Sequence, residues 1–265
     1  MENGIFSCKT GDFEVFMLVE AEREGSTNIL PSVTEEILKK YIPPQGFMHG
    51  CNAFLVKSQG SNILIDCGTG MDDIIINKMG SLGVEPGDLD TVLITHLHGD
   101  HIGSLLKGGF VNFLNAKLYL DAKEKEFFTN TSRNNTASKT LDSYAPRVKT
   151  FAASPLGSSY KEIVPGISPI ANYGHTPGHT AYLIESKGEK LLIAGDFLHI
   201  ALIQFPHPEF SATYDNDKEE AAASRREILD YAAKNKIPLG AMHLSYPGIV
   251  NVIASGSGYS FEALE

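Results

Sequence analysis

The sequence predicts an α/β protein whose sheets are covered by helices. Two observations lead to this class: short runs rich in aliphatic and β-branched residues recur along the chain, and segments with apolar residues at helical spacing lie between them. Hydrophobic residues make up 42% of the 265 positions, which suits a packed core of enzyme size. Because no linker, repeat or shift in composition divides the chain, we expect a single domain over 1–265.

The elements of the first half follow from local pattern. Apolar runs rich in β-branched residues predict strands, and the spacing of Ile75, Met79 and Leu82 before Gly83 predicts a helix with its stop. The predicted strands are 12–21, 52–57, 62–66 and 91–95, and the predicted helices are 34–41 and 73–82.

The second half continues the alternation. Asp217, with Glu220 three residues later, has the spacing of a capping box at the start of a long helix. The predicted strands and β regions are 117–120, 163–184, 190–194 and 239–242, and the predicted helices are 122–128 and 218–234. Residues 22–50, outside the short helix, and 139–160 carry no firm prediction and are candidates for pocket loops or for the contact of a possible homodimer.

Charge and cysteine usage narrow the classes of partner. The net charge of -10 repels phosphate backbones, so we expect no nucleic-acid partner and a small-molecule substrate instead. The three cysteines are an odd number at unrelated spacings, which indicates reduced thiols rather than a disulfide framework. No signal peptide or apolar run of membrane-spanning length is visible, so the expectation is a cytoplasmic protein without membrane attachment.

One hexapeptide carries most of the functional information. His96-Leu97-His98-Gly99-Asp100-His101 follows the predicted strand 91–95 and places four metal-ligand side chains within six residues. By chance such a pattern would arise in roughly five of ten thousand chains of this composition. Alternate residues of an extended segment face the same way, so His96 and His98 can face one metal while Asp100 and His101 turn toward a second.

Three further candidate ligands are each placed at the end of a predicted strand. These are His179, Asp196 and His243. A rigid sheet edge keeps the geometry that a metal needs, so we expect all seven side chains to converge on two divalent metal ions. Because every donor is N or O, zinc is the favoured metal, and manganese, iron or cobalt also fit.

With these motifs the sequence resembles the metallo-β-lactamase superfamily. The resemblance rests on 66–68, 95–101, 176–180, 195–196 and His243, and is closest to the branch of methyl parathion hydrolase and the quorum-quenching lactonases. It implies a four-layer αβ/βα sandwich in which two mixed sheets are flanked by helices. It assigns His96, His98 and His179 to the first metal and Asp100, His101 and His243 to the second, with Asp196 bridging.

The implied function is a dinuclear hydrolase that attacks a small ester, lactone or phosphotriester with a metal-bridging hydroxide. Asp100 is the candidate that accepts and returns a proton. His199 is the second catalytic candidate, because lactonases of this superfamily usually place there a Tyr that contacts the substrate carbonyl. That departure counts against lactonase activity.

Other side chains near the motifs have lesser expected roles. Asp66 is expected to orient a ligand histidine, His175 is expected to be structural, and His49 and His207 are expected in loops. Five residues are candidates for apolar pocket walls: Phe47, Met48, Phe197, Phe205 and Phe210.

Three alternatives remain open at the level of sequence. A thioester hydrolase of the glyoxalase II type would share the ligands, but only about 20 residues follow His243, where that enzyme adds a helical domain. A redox member with iron would need a flavin module, and a purely structural or sensing metal site would usually be rich in Cys.

Overall fold

The computed structural model describes residues 4–58, 60–131 and 135–265. Its strands are Ile5–Thr10 (β1), Phe13–Glu24 (β2), Met48–Ser58 (β3), Ser61–Ile65 (β4), Thr91–Leu93 (β5), Leu106–Lys107 (β6), Phe110–Val111 (β7), Lys117–Asp121 (β8), Val148–Phe151 (β9), Ile167–Ala171 (β10), Thr180–Ser186 (β11), Glu189–Ile193 (β12), Leu239–Gly240 (β13), Ile249–Ser255 (β14) and Gly258–Ala263 (β15).

The α-helices are Glu35–Tyr41 (α1), Ile74–Ser81 (α2), Gly99–Ile102 (α3), Ala122–Glu126 (α4), Asn135–Ser143 (α5), Ala201–Gln204 (α6) and Lys218–Asn235 (α7). Shorter 3₁₀ turns occur at Thr27–Ile29, Met71–Asp73, Pro86–Asp88, Gly103–Leu105 and Ala145–Arg147, and a π turn at Phe127–Thr131. Among the described residues, no helix is both long enough and apolar enough to cross a membrane.

Within the described residues the strands form two large sheets and one short hairpin. The first sheet has the order β1-β2-β3-β4-β5-β8-β9, the second has the order β10-β11-β12-β13-β14-β15, and β6 pairs with β7. Both large sheets are mixed, since β4, β5, β8 and β9 pair in parallel in the first, and β12 pairs in parallel with β13 in the second. The predicted α/β class is confirmed.

The alternation of side chains along each strand builds four layers. In β2, Val15 and Met17 face the core between the two sheets, whereas Leu18 faces the outer core with Ile75 and Met79 of α2. In β12, Leu191 and Ile193 likewise join the core between the sheets, and Leu192 packs with Ile228 and Leu229 of α7. Each sheet therefore carries helices on its outer face, which is the predicted αβ/βα sandwich.

Most predicted elements are present, and the differences have local causes. The helix predicted at 218–234 is α7, and its cap is confirmed because the Asp217 carboxylate accepts hydrogen bonds from the N–H groups of Glu219 and Glu220. The β region predicted at 163–184 is interrupted, since β10 ends at Ala171 and β11 begins only at Thr180. The loop between those two strands carries two histidines, His175 and His179.

Several strands were not predicted. The C-terminal hairpin of β14 and β15 was overlooked because of its Gly- and Ser-rich turn, although Ile249-Val250-Asn251-Val252 has the expected β composition. β1, β6, β7 and β9 were also missed. β3 begins at Met48 rather than near residue 52, so the expectation that His49 lies in a loop was wrong.

Candidate metal centre

The motif His96 to His101 lies just beyond the end of β5. Residues 94–98 form an irregular segment, and α3 begins at Gly99 with His98 as its N-cap residue. His96 and His101 are fully buried, whereas the side chain of Asp100 is 37% exposed. The change from extended segment to helix turns Asp100 and His101 away from His96 and His98, as the sequence predicts.

Segments from both sheets meet at this edge through backbone hydrogen bonds. The N–H of Thr180 donates to the carbonyl of Thr95, and the N–H of Met242 donates to the carbonyl of Gly195. The second of these bonds places the residues after β12 and β13 side by side. Asp196 and His243 therefore reach the same point as the histidines that follow β5.

Asp196 is the centre of the arrangement. Its buried carboxylate lies close to the Nε2 atoms of five histidines: His101 at 3.2 Å from Oδ1, and His243 at 3.1 Å, His175 at 3.6 Å, His199 at 3.6 Å and His96 at 3.8 Å from Oδ2. Only the distances to His101 and His243 are within hydrogen-bond range, so the carboxylate leaves several of these imidazoles without a hydrogen bond to it. Such a cluster of imidazole nitrogens around one carboxylate has the donor atoms that bind divalent metals.

Among the described residues, the ligand atoms form two groups that share Asp196. The first group is His96, His98, His175 and Asp196, and the second is Asp100, His101, Asp196 and His243. Within each group the ligand atoms all lie within 4.8 Å of one another. His175, His199 and Asp215 form a further group that overlaps the first.

One of the two groups contains a histidine that the sequence did not predict as a ligand. The Nε2 atom of His175 lies 3.0 Å from Nδ1 of His98, so His175 completes the first group. His179 does not join it, because its Nε2 accepts a hydrogen bond from the N–H of Asp196 at 3.0 Å and its Nδ1 lies 2.8 Å from the carbonyl of Asn172. While this bond is made, the lone pair of His179 Nε2 is not free for a metal. The sequence favours His179 as the ligand, and the geometry of the side chains favours His175.

Sequence reasoning missed His175 because 163–184 was treated as one β region. His179 then appeared to sit at a strand end, whereas it directly precedes the first residue of β11. His175 lies in the middle of the loop, where its ring reaches the pocket. The glycine at position 174 is the signal of a turn in the sequence. In the structure its φ of +117° marks a sharp turn just before His175.

The residues present fit divalent metal. Nε2 of His101 and Oδ1 of Asp196 are both buried and have no hydrogen-bond partner among the residues that the structure describes. Buried polar atoms without partners are rare in native proteins because each costs free energy. A cation between them removes this cost, and the all-N and all-O donor set suits zinc, manganese, iron or cobalt.

Burial keeps several of these imidazoles in the form that binds metals. Desolvation lowers the pKa of His98 to about 4 and holds the pKa of His96 well below its usual value. Burial alone would lower the pKa of His101 as well, but the carboxylates of Asp196 and Asp66 raise it well above its usual value. A cation that bound here would compete with the proton that these carboxylates favour on His101.

His101 and His243 are each oriented by a hydrogen bond at the Nδ1 atom of the ring. Asp66 accepts from Nδ1 of His101 at 2.7 Å and from the N–H and hydroxyl of Thr95, which agrees with the orienting role expected for it. Nδ1 of His243 lies 2.9 Å from the carbonyl of Gly50. Such partners set the tautomer and the direction of a ligand histidine.

Asp215 has the same function for His175. Its carboxylate lies 2.9 Å from Nδ1 of His175 and accepts a bond from the N–H of Ala212, while the buried guanidinium of Arg225 lies 3.4 Å away. Although burial opposes it, the bond from His175 and the charge of Arg225 lower the pKa of Asp215. The carboxylate therefore stays ionised and orients the ring of His175 through its Nδ1.

We expect Asp215→Asn to weaken one metal about 10- to 100-fold, because the amide oxygen can still accept from His175 but carries no charge. Titration with a competing chelator measures the change. Asp142→Asn, an exchange at an exposed position, is the matched control and should leave both affinities unchanged. Equal affinities in Asp215→Asn and wild type would contradict the orienting role.

A stack of rings lines the pocket above the groups. His243 is stacked between His49 at 4.2 Å and His199 at 5.0 Å, and Tyr214 lies 5.6 Å from His199. The pocket has a volume of about 340 Å³ and is also lined by Gly99 and Asp100. His199 thus lies where the sequence places a catalytic candidate, and His49 joins it although the sequence reasoning overlooked it.

A second pocket of about 460 Å³ adjoins the first and shares His199 and His243 with it. Two of the expected apolar wall residues, Phe47 and Met48, line it. Phe197 and Phe205 instead lie in the core beneath α7, and Phe210 packs against the cluster around Leu30, so none of the three lines the two pockets at the metal-ligand groups.

Comparison with known proteins identifies the family of the chain. The family model described as the metallo-beta-lactamase superfamily matches residues 47–240. The structure of AbOPH, a hydrolase in the beta lactamase superfamily, shares 30% identity over 99% of this chain and 98% of its own, with a TM-score of 0.86. AidC, a dizinc quorum-quenching lactonase in complex with a product, shares the fold with a TM-score of 0.87 at 24% identity over 99% of this chain and 98% of its own.

A curated relative gives a shorter match. An N-acyl homoserine lactonase from Bacillus sp. is 29% identical over 120 residues. The match covers 44% of this chain and 41% of the lactonase. The chain thus spans less than half the length of this curated relative.

Proposed function

Because the chain belongs to the metallo-beta-lactamase superfamily, as a hydrolase related to lactonases and organophosphate hydrolases, we propose that it binds two divalent metal ions and hydrolyses a small ester, lactone or phosphotriester. The observation that carries this proposal is Asp196, a buried carboxylate surrounded by imidazole nitrogens from separate loops. Such convergence is costly in a protein without cations and expected in one that binds two.

In the proposed site, Asp196 is shared and each metal has three ligands of its own. His96, His98 and His175 hold the first metal. Asp100, His101 and His243 hold the second. Zinc is the proposed metal, in keeping with the donor atoms and with the dizinc centre of AidC.

Bound divalent cations would supply water activation and polarisation of the substrate's electrophilic centre. The chain's own groups complete the chemistry. Asp100 is the partly exposed carboxylate of the site, 3.9 Å from Nε2 of both His101 and His243, so it is placed to accept a proton and return it to the leaving group. His199 lines the same pocket and can donate a hydrogen bond to the substrate oxygen.

The shape of the two pockets supports a substrate with two parts. A polar, hydrolysable group fits the pocket of about 340 Å³ that contains the ligands. The adjoining pocket of about 460 Å³ is lined mainly by apolar side chains, which favours an uncharged hydrocarbon or aryl arm. These apolar residues are Phe47, Met48, Leu202, Leu244, Pro247, Val250 and Phe261.

The proposal is tested with a substrate panel consisting of an aryl ester, an N-acyl homoserine lactone, an aryl phosphotriester and a thioester. We expect turnover of one or more of the first three, loss of that turnover on chelation, and recovery when zinc or manganese is returned. Hydrolysis by metal-free protein would refute a metal-dependent mechanism. Preference for the thioester would favour the glyoxalase II type of reaction, and visible absorption with stoichiometric iron would favour the redox alternative.

Two variants refine the test. We expect Asp100→Asn and His199→Phe each to lower kcat by roughly a hundredfold, because a positioned proton donor or acceptor contributes about that much. His199→Phe should keep both metals, as measured by elemental analysis. Full turnover in either variant would remove that residue from the proposed chemistry.

A further inference from the structure

Glu124 is a buried carboxylate outside both ligand groups. It lies on α4 with no exposed surface, and its two oxygens point toward the loops of the metal centre. Oε1 accepts a hydrogen bond from the N–H of Leu97 at 2.8 Å. Oε2 accepts bonds from the hydroxyl of Thr176 at 2.6 Å and from the N–H of Gly178 at 3.1 Å. Neither the sequence motifs nor the proposed chemistry gives this residue a role.

The three donors belong to the two loops that carry the first ligand group. Leu97 lies between His96 and His98, and Thr176 directly follows His175. One carboxylate therefore ties together the two segments whose spacing determines whether the three imidazoles can reach a common cation. The second group is oriented by other atoms, namely the carboxylate of Asp66 and the carbonyl of Gly50.

Close packing at Gly178 supports a direct clamp between the loop and α4. A Cβ atom added at Gly178 would lie 2.2 Å from the backbone nitrogen of Glu124, so the loop rests on the helix without space for a side chain. The contact is therefore made by the backbone of both segments as well as by the carboxylate.

Burial of this carboxylate is costly in free energy, which argues against an incidental role. Within the part of the chain that the structure describes, no Lys or Arg forms an ion pair with Glu124. A buried carboxylate then depends on its hydrogen bonds for stabilisation. Bonds from neutral donors to a charged acceptor are short and strong, so they restrict the positions of both loops.

We infer that Glu124 is a positioning residue that holds the His96–His98 segment and the His175 loop at the spacing required by the first metal. The inference rests on the proposed two-metal function. It predicts a selective effect: loss of Glu124 weakens one metal and leaves the other bound. A residue needed only for general stability would weaken both.

The experiment compares three variants with wild type by stepwise metal titration against a competing chelator. Burial raises the pKa of Glu124 to about 7, so the titrations are made at about pH 8, where the carboxylate is ionised. Glu124→Ala removes all three bonds, Glu124→Gln retains part of the acceptor capacity, and Thr176→Val removes one bond. We expect the affinity for one metal to fall about 100-fold, about 10-fold and severalfold in that order.

Reference variants identify which metal is affected. His98→Ala and His243→Ala define the cobalt absorption spectra of protein that retains only the second or only the first metal. Glu124→Ala that is loaded with less than the full amount of cobalt should have the absorption spectrum of His98→Ala, which retains only the second metal. The matched control Asp66→Asn, which removes the carboxylate charge beside His101, should match that of His243→Ala.

The outcomes separate this inference from the function on which it rests. Unchanged affinity for both metals in folded Glu124→Ala, as judged by circular dichroism, would overturn the role of Glu124 alone, as would equal loss of both metals. If Glu124→Ala does not fold, the selectivity of Thr176→Val decides. Wild-type protein that binds no metal would overturn the proposed function, and the metal-holding role of Glu124 with it.

Discussion

Replacement of His175 by Ala should remove one of the two metals and lower turnover by about a thousandfold or more. A metal contributes several kcal/mol of transition-state stabilisation, and each 1.36 kcal/mol corresponds to a factor of ten in rate. His175 has the geometry of a ligand, since Nδ1 is held by Asp215 and Nε2 faces both His98 and Asp196. Elemental analysis and kinetics on the best substrate of the panel measure the two effects.

His179→Ala is the informative partner of this variant, since both histidines lie in the same loop. Its ring bridges the carbonyl of Asn172 and the N–H of Asp196, so its removal leaves two buried backbone groups unpaired. We expect a loss of about 2 to 5 kcal/mol in the free energy of unfolding, with both metals retained. A variant that instead loses one metal while His175→Ala keeps two would restore the assignment made from sequence.

The second large effect is expected at Asp196. Asp196→Asn keeps the size of the side chain but removes the charge that lies among the histidine nitrogens. Because both groups share this residue, we expect loss of both metals and of all measurable metal-dependent turnover. Alanine replacement of a single histidine elsewhere in the two groups should remove only one metal.

Thermal unfolding provides a measure that does not depend on substrate. Metal present at a thousand times its Kd stabilises the folded state by about 4 kcal/mol per site. Chelation should therefore lower the Tm of wild type markedly but leave that of Asp196→Asn almost unchanged. A chelator-dependent Tm in Asp196→Asn would show that metals bind without the shared carboxylate.

The layers of the fold were readable in the sequence because their signals are local. Apolar alternation in β2 and the spacing of Ile75 and Met79 in α2 each depend on a few neighbouring residues. Some of the missed elements were short, such as β6 and β7 with two residues each. Pairing with a neighbouring strand stabilises such segments, and that pairing is invisible in their own sequence.

The side chains of the candidate site likewise divide into those with a local signal in the sequence and those without one. The hexapeptide from His96 to His101 indicates a metal site by itself, because four ligands in six residues need no tertiary information. His49 and Glu124 give no such signal. Each is a common residue in an ordinary context, and its place beside the ligands arises from the packing of β3 and α4 against distant loops.

By itself the sequence determined the superfamily, the layered fold and six of the side chains that meet at the candidate metal centre. Only the tertiary structure brought His175, which lies four residues before His179 in one loop, to the ligand atoms of this site. The physical reason is that ligation depends on where the free lone pair of a ring nitrogen points. In His179 that lone pair accepts the backbone N–H of Asp196, and in His175 it faces the shared carboxylate.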